Sequence, residues 1–90
     1  MDGAGEVTVE FFGIPRQRAG RAELAVRAGT VAEVLAAVER QCPRLTGLVQ
    51  GGRPAPHYLL SLDGRRFVTD WQEALQPGER VLLLSADAGG

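Results

Sequence analysis

The stretch from Thr30 to Pro43 constrains the fold most, because its apolar residues recur at helical spacing. They lie three or four positions apart and form one stripe: Val31, Val34, Leu35, Val38 and Cys42. Thr30 followed by Glu33 is typical of a capping box at a helix start. Pro43 ends the pattern, since the residue before a proline is pushed out of helical geometry. A helix with one apolar stripe must pack that stripe on another layer.

Two alternating segments before this helix predict an antiparallel hairpin. In residues 7–11 the apolar side chains alternate with polar ones, and Phe12 then falls at an outward position. Residues 21–27 alternate again, and we interpret residues 16–20 as the polar connection between the two strands.

Three further strands are predicted after the helix. They cover residues 57–62, a short return at 65–68, and 80–85. Asp63-Gly64 is a tight-turn signal, and Gln76 to Glu79 carries Pro then Gly as a type II turn prefers. The last strand contains four consecutive apolar residues, which suggests that both of its faces are covered.

The order of these elements predicts an α+β roll with one main helix across a mixed sheet of four to five strands. With the terminal strands paired at the sheet centre, this is the β-grasp arrangement. In residues 44–56, Leu45, Leu48 and Val49 are expected to form one short helical turn. Asp70 is expected to cap another helical turn that runs through Leu75.

The length of 90 residues fits one small domain. We assign residues 1–6 to a flexible lead, residues 7–85 to the domain and residues 86–90 to a flexible tail. The lead lacks the basic and apolar regions of a signal peptide, and no apolar run is long enough to span a membrane. We therefore expect a cytoplasmic protein.

The charges argue against nucleic-acid and membrane partners. The formal net charge is −1, and all ten basic residues are arginine, so no lysine side chain can accept an isopeptide bond. The single cysteine, Cys42, excludes an internal disulfide framework and a multi-cysteine metal site. We interpret Cys42 as a core residue and His57 as neither metal ligand nor catalyst.

The chain ends on Gly89 and Gly90, a few residues beyond the last predicted strand. Glycine has no Cβ, so a glycine tail can enter a narrow channel and leaves its terminal carbonyl carbon unhindered. These properties suit a carboxylate that is itself the reacting group. On the tail alone, an incidental terminus is the other interpretation.

The chain resembles the MoaD/ThiS family of ubiquitin-like sulfur carriers over residues 7–90. The resemblance starts with Val7-Thr8-Val9-Glu10-Phe11-Phe12-Gly13 and continues through Arg16-Gln17, Gly20 and the Thr30-Val31 helix start. Leu62-Asp63-Gly64, Gly78-Glu79-Arg80-Val81 and the terminal Gly89-Gly90 complete it.

The resemblance implies a role for each part of the tail and for one surface. An adenylating enzyme of the MoeB/ThiF type would use ATP to activate the Gly90 carboxylate, which sulfur then converts to a thiocarboxylate. Gly89 and Ala88 would complete the slim tail, and Phe12, Leu82 and Leu84 would form a docking patch. The chain itself would bind no cofactor or metal and would be a carrier subunit, not an enzyme.

Several acceptors and functions fit this pattern. A molybdopterin synthase large subunit is the favoured acceptor, and thiazole, cysteine or tRNA thiolation are the alternatives. A ubiquitin-like protein modifier and a non-reactive β-grasp interaction module are further hypotheses. Phe12 is expected either to contact a partner or to pack under the 44–56 loop. Arg65-Arg66 is interpreted as a solvated hairpin tip, and Trp71 as a lid on the edge of the core.

Overall fold

The computed structural model describes residues 5–50 and 53–86, and shows a five-stranded mixed sheet with two helices. Strand order in the main sheet is β2-β1-β7-β5-β6, and β3 and β4 form a separate two-stranded ribbon. The predicted β-grasp roll is confirmed. The elements are β1 (Gly5–Phe11), α1 (Ile14–Ala19), β2 (Glu23–Ala28), α2 (Val31–Gln41), β3 (Val49–Gln50), β4 (Arg53–Pro54), β5 (Tyr58–Leu62), β6 (Arg66–Phe67) and β7 (Arg80–Ser85).

The two terminal strands pair at the centre of the sheet. β1 runs parallel to β7, with Val9 opposite Val81 and Phe11 opposite Leu83. β2 pairs antiparallel with β1, and β5 pairs antiparallel with β7. The predicted hairpin and the predicted central pair are therefore both present, and β1 starts at Gly5, two residues earlier than its alternation suggested.

The core lies between α2 and one face of the sheet. The predicted stripe of α2 is fully buried, and Ala37 joins it. The Thr30 hydroxyl accepts a hydrogen bond from the Glu33 N–H at 3.2 Å, and the Glu33 carboxylate accepts one from the Gly29 N–H at 2.6 Å. These bonds satisfy donors that the helix start would otherwise leave open.

Residues 14–19 form the helix α1, so the prediction of an irregular connection from residue 16 to residue 20 was wrong. Pro15 occupies the first turn, where its missing N–H costs nothing, and its side chain is buried. Gly20 ends the helix in the left-handed conformation and donates its N–H to the Arg16 carbonyl at 3.0 Å. The helix has too few apolar residues for periodicity to reveal it.

The segment after Asp70 is not a helical turn, and that prediction was also wrong. The Asp70 carboxylate accepts a hydrogen bond from the Gln72 N–H, as in a local turn. The Glu73 N–H closes this single turn on the Asp70 carbonyl at 3.1 Å, and the backbone carbonyl groups of the segment then bond to the start of α2. Val31 donates to the Glu73 carbonyl, Ala32 donates to the Trp71 carbonyl, and Ala74 forms a bridge with Thr30.

The connection after α2 packs two leucines under the sheet. Pro43 to Leu45 form one 3-10 turn, so the predicted helical turn covers Leu45, whereas Val49 lies in β3. Leu45 and Leu48 are fully buried. Trp71 is partly buried against the core, as predicted for a lid on its edge.

The turn after β5 and the turn before β7 match the turn signals in the sequence. Asp63 and Gly64 both have positive φ at the centre of a turn that the Arg65 N–H closes on the Leu62 carbonyl at 2.9 Å, and Leu62 pairs with Arg66 across the loop. The turn from Gln76 to Glu79 closes with the Glu79 N–H donating to the Gln76 carbonyl at 3.2 Å. Among the described residues, no helix is long and apolar enough to cross a membrane.

Candidate docking surface beside the carboxyl end of β7

Phe12, Leu82 and Leu84 lie together on the sheet face that α2 does not cover. With Gly13 they line an apolar groove of about 330 Å³. The Phe12 side chain is 42% exposed, and Leu82 and Leu84 are half-buried. We call this surface the tail-end groove.

The backbone explains why these three side chains meet. Alternation along β7 turns Val81, Leu83 and Ser85 toward the core and leaves Leu82 and Leu84 on the other face. The expectation that both faces of this strand are covered was therefore wrong. The Phe12 N–H donates to the Leu83 carbonyl at 3.0 Å, which keeps Phe12 beside β7 after β1 has ended.

Gly13 turns the chain away directly after Phe12. Its φ of 62° is a left-handed conformation that a side chain would strain. An additional Cβ here would meet no other atom, so the constraint is conformational and not steric. The sharp turn leaves the Phe12 ring uncovered by the chain that follows.

The C-terminal segment leaves the sheet at this same end. β7 ends at Ser85, and the Ala86 N–H donates to the His57 carbonyl at 2.8 Å. Ala88, Gly89 and Gly90, the predicted reactive tail, lie outside the described residues. The predicted docking residues are thus brought together around the root of that tail.

The apolar surface continues onto β5 and β6, where the sequence analysis named no contact residue. Leu59 lies opposite Leu84, and Phe67 lies opposite Ser61 with a 57% exposed side chain. With Pro54 and Trp71 they line a second groove of about 620 Å³. Leu59 occupies an outward position in a predicted strand, so the signal that singled out Phe12 was also present there.

Searches against protein-family models and against curated proteins gave no match. Several solved structures are similar to this chain in fold. The Haloferax volcanii HVO 2177 protein shares 30% identity, with 100% of this chain and 91% of that chain covered, at a TM-score of 0.82. The chain belongs to the same family as the HVO 2177 protein and has a ubiquitin-like β-grasp fold.

Two further solved structures show the same fold at lower identity. Small archaeal modifier protein 1 from Methanosarcina acetivorans is 20% identical, with 97% of this chain and 98% of that chain covered, at a TM-score of 0.82. A Pyrococcus furiosus protein assigned as molybdopterin converting factor subunit 1 is 20% identical, with 90% and 97% covered, at a TM-score of 0.73. The predicted resemblance to the MoaD/ThiS family is confirmed at the level of the fold.

Toward the start of β7, the open face of this β-grasp sheet is charged and internally paired, and Glu10 lies opposite the groove residue Leu82. Arg80 contacts the Glu10 carboxylate at 2.8 Å and the Glu23 carboxylate at 3.5 Å. The hydrogen bond to Glu10 raises the pKa of Arg80. Charges that neutralise one another in this way leave little for a partner to bind.

The two arginines of the β5–β6 hairpin differ. Arg65 is a largely solvated side chain 3.7 Å from the Asp63 carboxylate, as predicted for a hairpin tip. Arg66 instead forms an ion pair with Glu73, and this hydrogen bond raises the pKa of Arg66. That pair connects the hairpin to the segment packed against α2.

Cys42 and His57 form no reactive group with their neighbours. Cys42 is 4% exposed, and burial raises the pKa of its thiol although the nearby Arg21 acts in the opposite direction. The exposed His57 ring lies against Tyr58, with 4.3 Å between ring centroids. Within residues 5–50 and 53–86, no three His, Cys, Asp or Glu side chains are grouped as metal ligands.

Proposed function

We propose that this protein is a sulfur carrier whose C-terminal Gly90 is adenylated and converted to a thiocarboxylate, which donates sulfur in molybdopterin synthesis in the cytoplasm. The observation that carries the proposal is the tail-end groove. An exposed apolar surface surrounds the point where the Gly-Gly tail leaves β7. A partner that docks there is positioned to receive the tail.

The chemistry explains why a partner enzyme and ATP are needed. A carboxylate is anionic and resonance-stabilised, so nucleophiles do not attack its carbon. A carboxylate oxygen of Gly90 attacks the α-phosphorus of ATP, pyrophosphate leaves, and an acyl adenylate forms. A sulfur nucleophile then attacks the carbonyl carbon, and AMP leaves with the electron pair of the broken C–O bond. When the nucleophile is hydrosulfide, this step gives the thiocarboxylate directly and the proton passes to solvent. When it is a persulfide of a donor protein, a second thiol attacks the S–S bond of the acyl disulfide, is oxidised to a disulfide, and the thiocarboxylate leaves.

The folded body contributes recognition to this reaction. Gly89 keeps the approach to the Gly90 carbonyl clear, because it has no side chain. Phe12, Leu82 and Leu84 offer apolar area that a partner can bury, and such area dominates the energetics of protein interfaces. We propose an activating enzyme of the MoeB/ThiF type and a molybdopterin synthase large subunit as successive partners.

The P. furiosus protein supports molybdopterin as the destination of the sulfur, because its assigned role is subunit 1 of a molybdopterin converting factor. The M. acetivorans protein supports a second candidate, since its name describes a modifier. In that case the activated Gly90 would form an amide with an amine of another protein. Both candidates use the same activation step and differ in the acceptor.

Intact mass spectrometry of the protein purified from its native cells tests the proposal. A carrier shows a form in which sulfur replaces one oxygen at a C-terminal Gly90. Thiol-resistant adducts of higher mass would instead support the modifier. The absence of both forms, with no activation by ATP and candidate activating enzymes, would reject both.

A matched pair of variants links that result to the tail. One extra alanine after Gly90 moves the carboxylate beyond its original position and should abolish the sulfur-containing form. The same alanine added before Met1 should leave that form at the wild-type level. If the extended tail were modified as well as the wild type, the reacting group would not be the Gly90 carboxylate.

A further inference from the structure

Residues 12–22 give one corner of the molecule a strong positive charge. This segment contains Arg16, Arg18 and Arg21 and no acidic residue, whereas the chain as a whole carries a net charge of −1. It comprises α1 and the loops on either side of it. The positive charge is thus local and contrasts with the rest of the chain.

The three arginines of this segment make no ion pair with any residue that the structure describes. Arg18 donates a hydrogen bond to the Tyr58 hydroxyl at 3.2 Å and so connects α1 to β5. No carboxylate among the described residues lies within ion-pair distance of Arg16 or Arg21, whereas Arg66 and Arg80 both have one.

Arg16 and Arg21 line a cleft of about 550 Å³ together with Gln17. Two cations that face one cleft without an acidic neighbour repel each other weakly, and a negatively charged group between them relieves that repulsion. Glu39 does not fill this role. Its carboxylate accepts hydrogen bonds from the Gly47 N–H at 3.1 Å and the Val49 N–H at 3.3 Å.

The cleft adjoins the tail-end groove. Gly13 lines both of them, and α1 packs against β7, the strand from which the tail leaves. The root of the tail therefore has an apolar surface on one side and unpaired cations on the other. A protein that receives the tail meets both surfaces in a single approach.

The reach of the tail favours a protein surface over the phosphate of the adenylate as the anion. Four residues span about 14 Å when fully extended, so a partner that holds the tail extended places a phosphate on Gly90 about that far from its root. A local group of a few cations on a chain of net charge −1 also makes a poor nucleic-acid site.

We propose that Arg16 and Arg21 bind an acidic surface of the enzyme that activates the tail, next to an apolar patch of that enzyme that fills the tail-end groove. This inference rests on the proposed function and defines the chemistry of the partner. Charges at the rim of an interface act mainly on encounter, so their effect is on association and is screened by salt.

Steady-state ATP–pyrophosphate exchange with a candidate MoeB/ThiF-type enzyme tests the inference. We expect the double variant R16E/R21E to lower kcat/KM about ten- to hundredfold at low ionic strength, with most of the loss in KM. The loss should shrink severalfold at about 0.5 M salt, where the screening length is only a few ångströms. Circular dichroism checks that both double variants stay folded.

R27E/R65E is the matched control, because it makes the same charge change at exposed positions away from α1. We expect it to keep wild-type kcat/KM. If R16E/R21E is activated as well as the wild type, or if the control loses as much, the inference is wrong while the proposed function stands. If no enzyme activates the wild type, the proposed function fails and this inference fails with it.

Discussion

Leu83 and Leu84 are neighbours on β7, yet they belong to two different faces of the sheet. Leu83 is 1% exposed within the core, whereas Leu84 is half-buried on the open face. The covered face of β7 is apolar except for Ser85. The open face is apolar where the tail leaves and charged toward the start of β7, where Arg80 pairs with Glu10.

The comparison shows which groups are already satisfied by contacts within the chain and which are open to a partner. Apolar groups of the covered face bury one another, and charges at the far end of the open face neutralise one another. The groups around the tail root have no such partners in the described part of the chain: Phe12 is largely exposed, and Arg16 and Arg21 face a cleft. A surface of this kind is where a partner gains most free energy on binding.

Truncating the covered face should have the largest effect. Leu83→Ala leaves a cavity in a packed core, so we expect the free energy of unfolding to fall by about 3 kcal/mol. Urea denaturation followed by circular dichroism measures it. A loss similar to that of Leu84→Ala would contradict the assignment of the two residues to different environments.

The reactivity of the Cys42 thiol tests the burial of the covered face without a mutation. Because its thiol is buried and burial raises its pKa, we expect iodoacetamide to react at least about a hundredfold more slowly than in the urea-unfolded chain. A raised pKa means less thiolate at any pH below it, so slow labelling should persist from neutral to mildly alkaline pH. Rapid labelling of the folded protein at neutral pH would show that this end of α2 opens.

Changing the tail-end groove should affect partner binding more than folding. For Leu84→Ser we expect kcat/KM for ATP-dependent activation to fall about 30-fold, as for a contact at the centre of an interface. Stability should fall by only about 1 kcal/mol, since the side chain is half-buried. Unchanged activation would show that this groove is not part of the docking surface.

The charged end of the open face should give the smallest effect. Arg80→Gln removes exposed ion pairs with Glu10 and Glu23, which contribute little to stability in water. We expect activation at the wild-type level and a small loss of thermal stability that disappears at high salt. A loss of activation comparable to that of Leu84→Ser would extend the docking surface across the whole open face.

Local signals were sufficient for most of the fold. The capping pair Thr30 and Glu33, the stripe on α2 and the turn at Asp63-Gly64 predicted elements that the structure contains, because each depends on a few neighbouring residues. The docking patch was also predictable, since Phe12 is a large apolar residue at an outward strand position. Its extension over Leu59 and Phe67 was missed, although Leu59 carried the same signal.

Other features depended on contacts between distant segments. The helix α1 has no apolar stripe, and it packs through Pro15 and through the hydrogen bond from Arg18 to Tyr58. The Asp70 segment gives its carbonyl groups to the start of α2, so local helix signals lost to a tertiary pairing. Neither interaction can be inferred from spacing along the chain.

The sequence alone determined the periodicities, the turns and the apolar character of Phe12, Leu82 and Leu84, because these follow from residue type and local order. Only the tertiary structure decided that Phe12 lies beside Leu84, at the end of the sheet where the tail begins. It also decided that Arg16 and Arg21 face a cleft next to that groove. The physical reason is that the parallel pairing of β1 with β7 brings together residues some seventy positions apart in the chain.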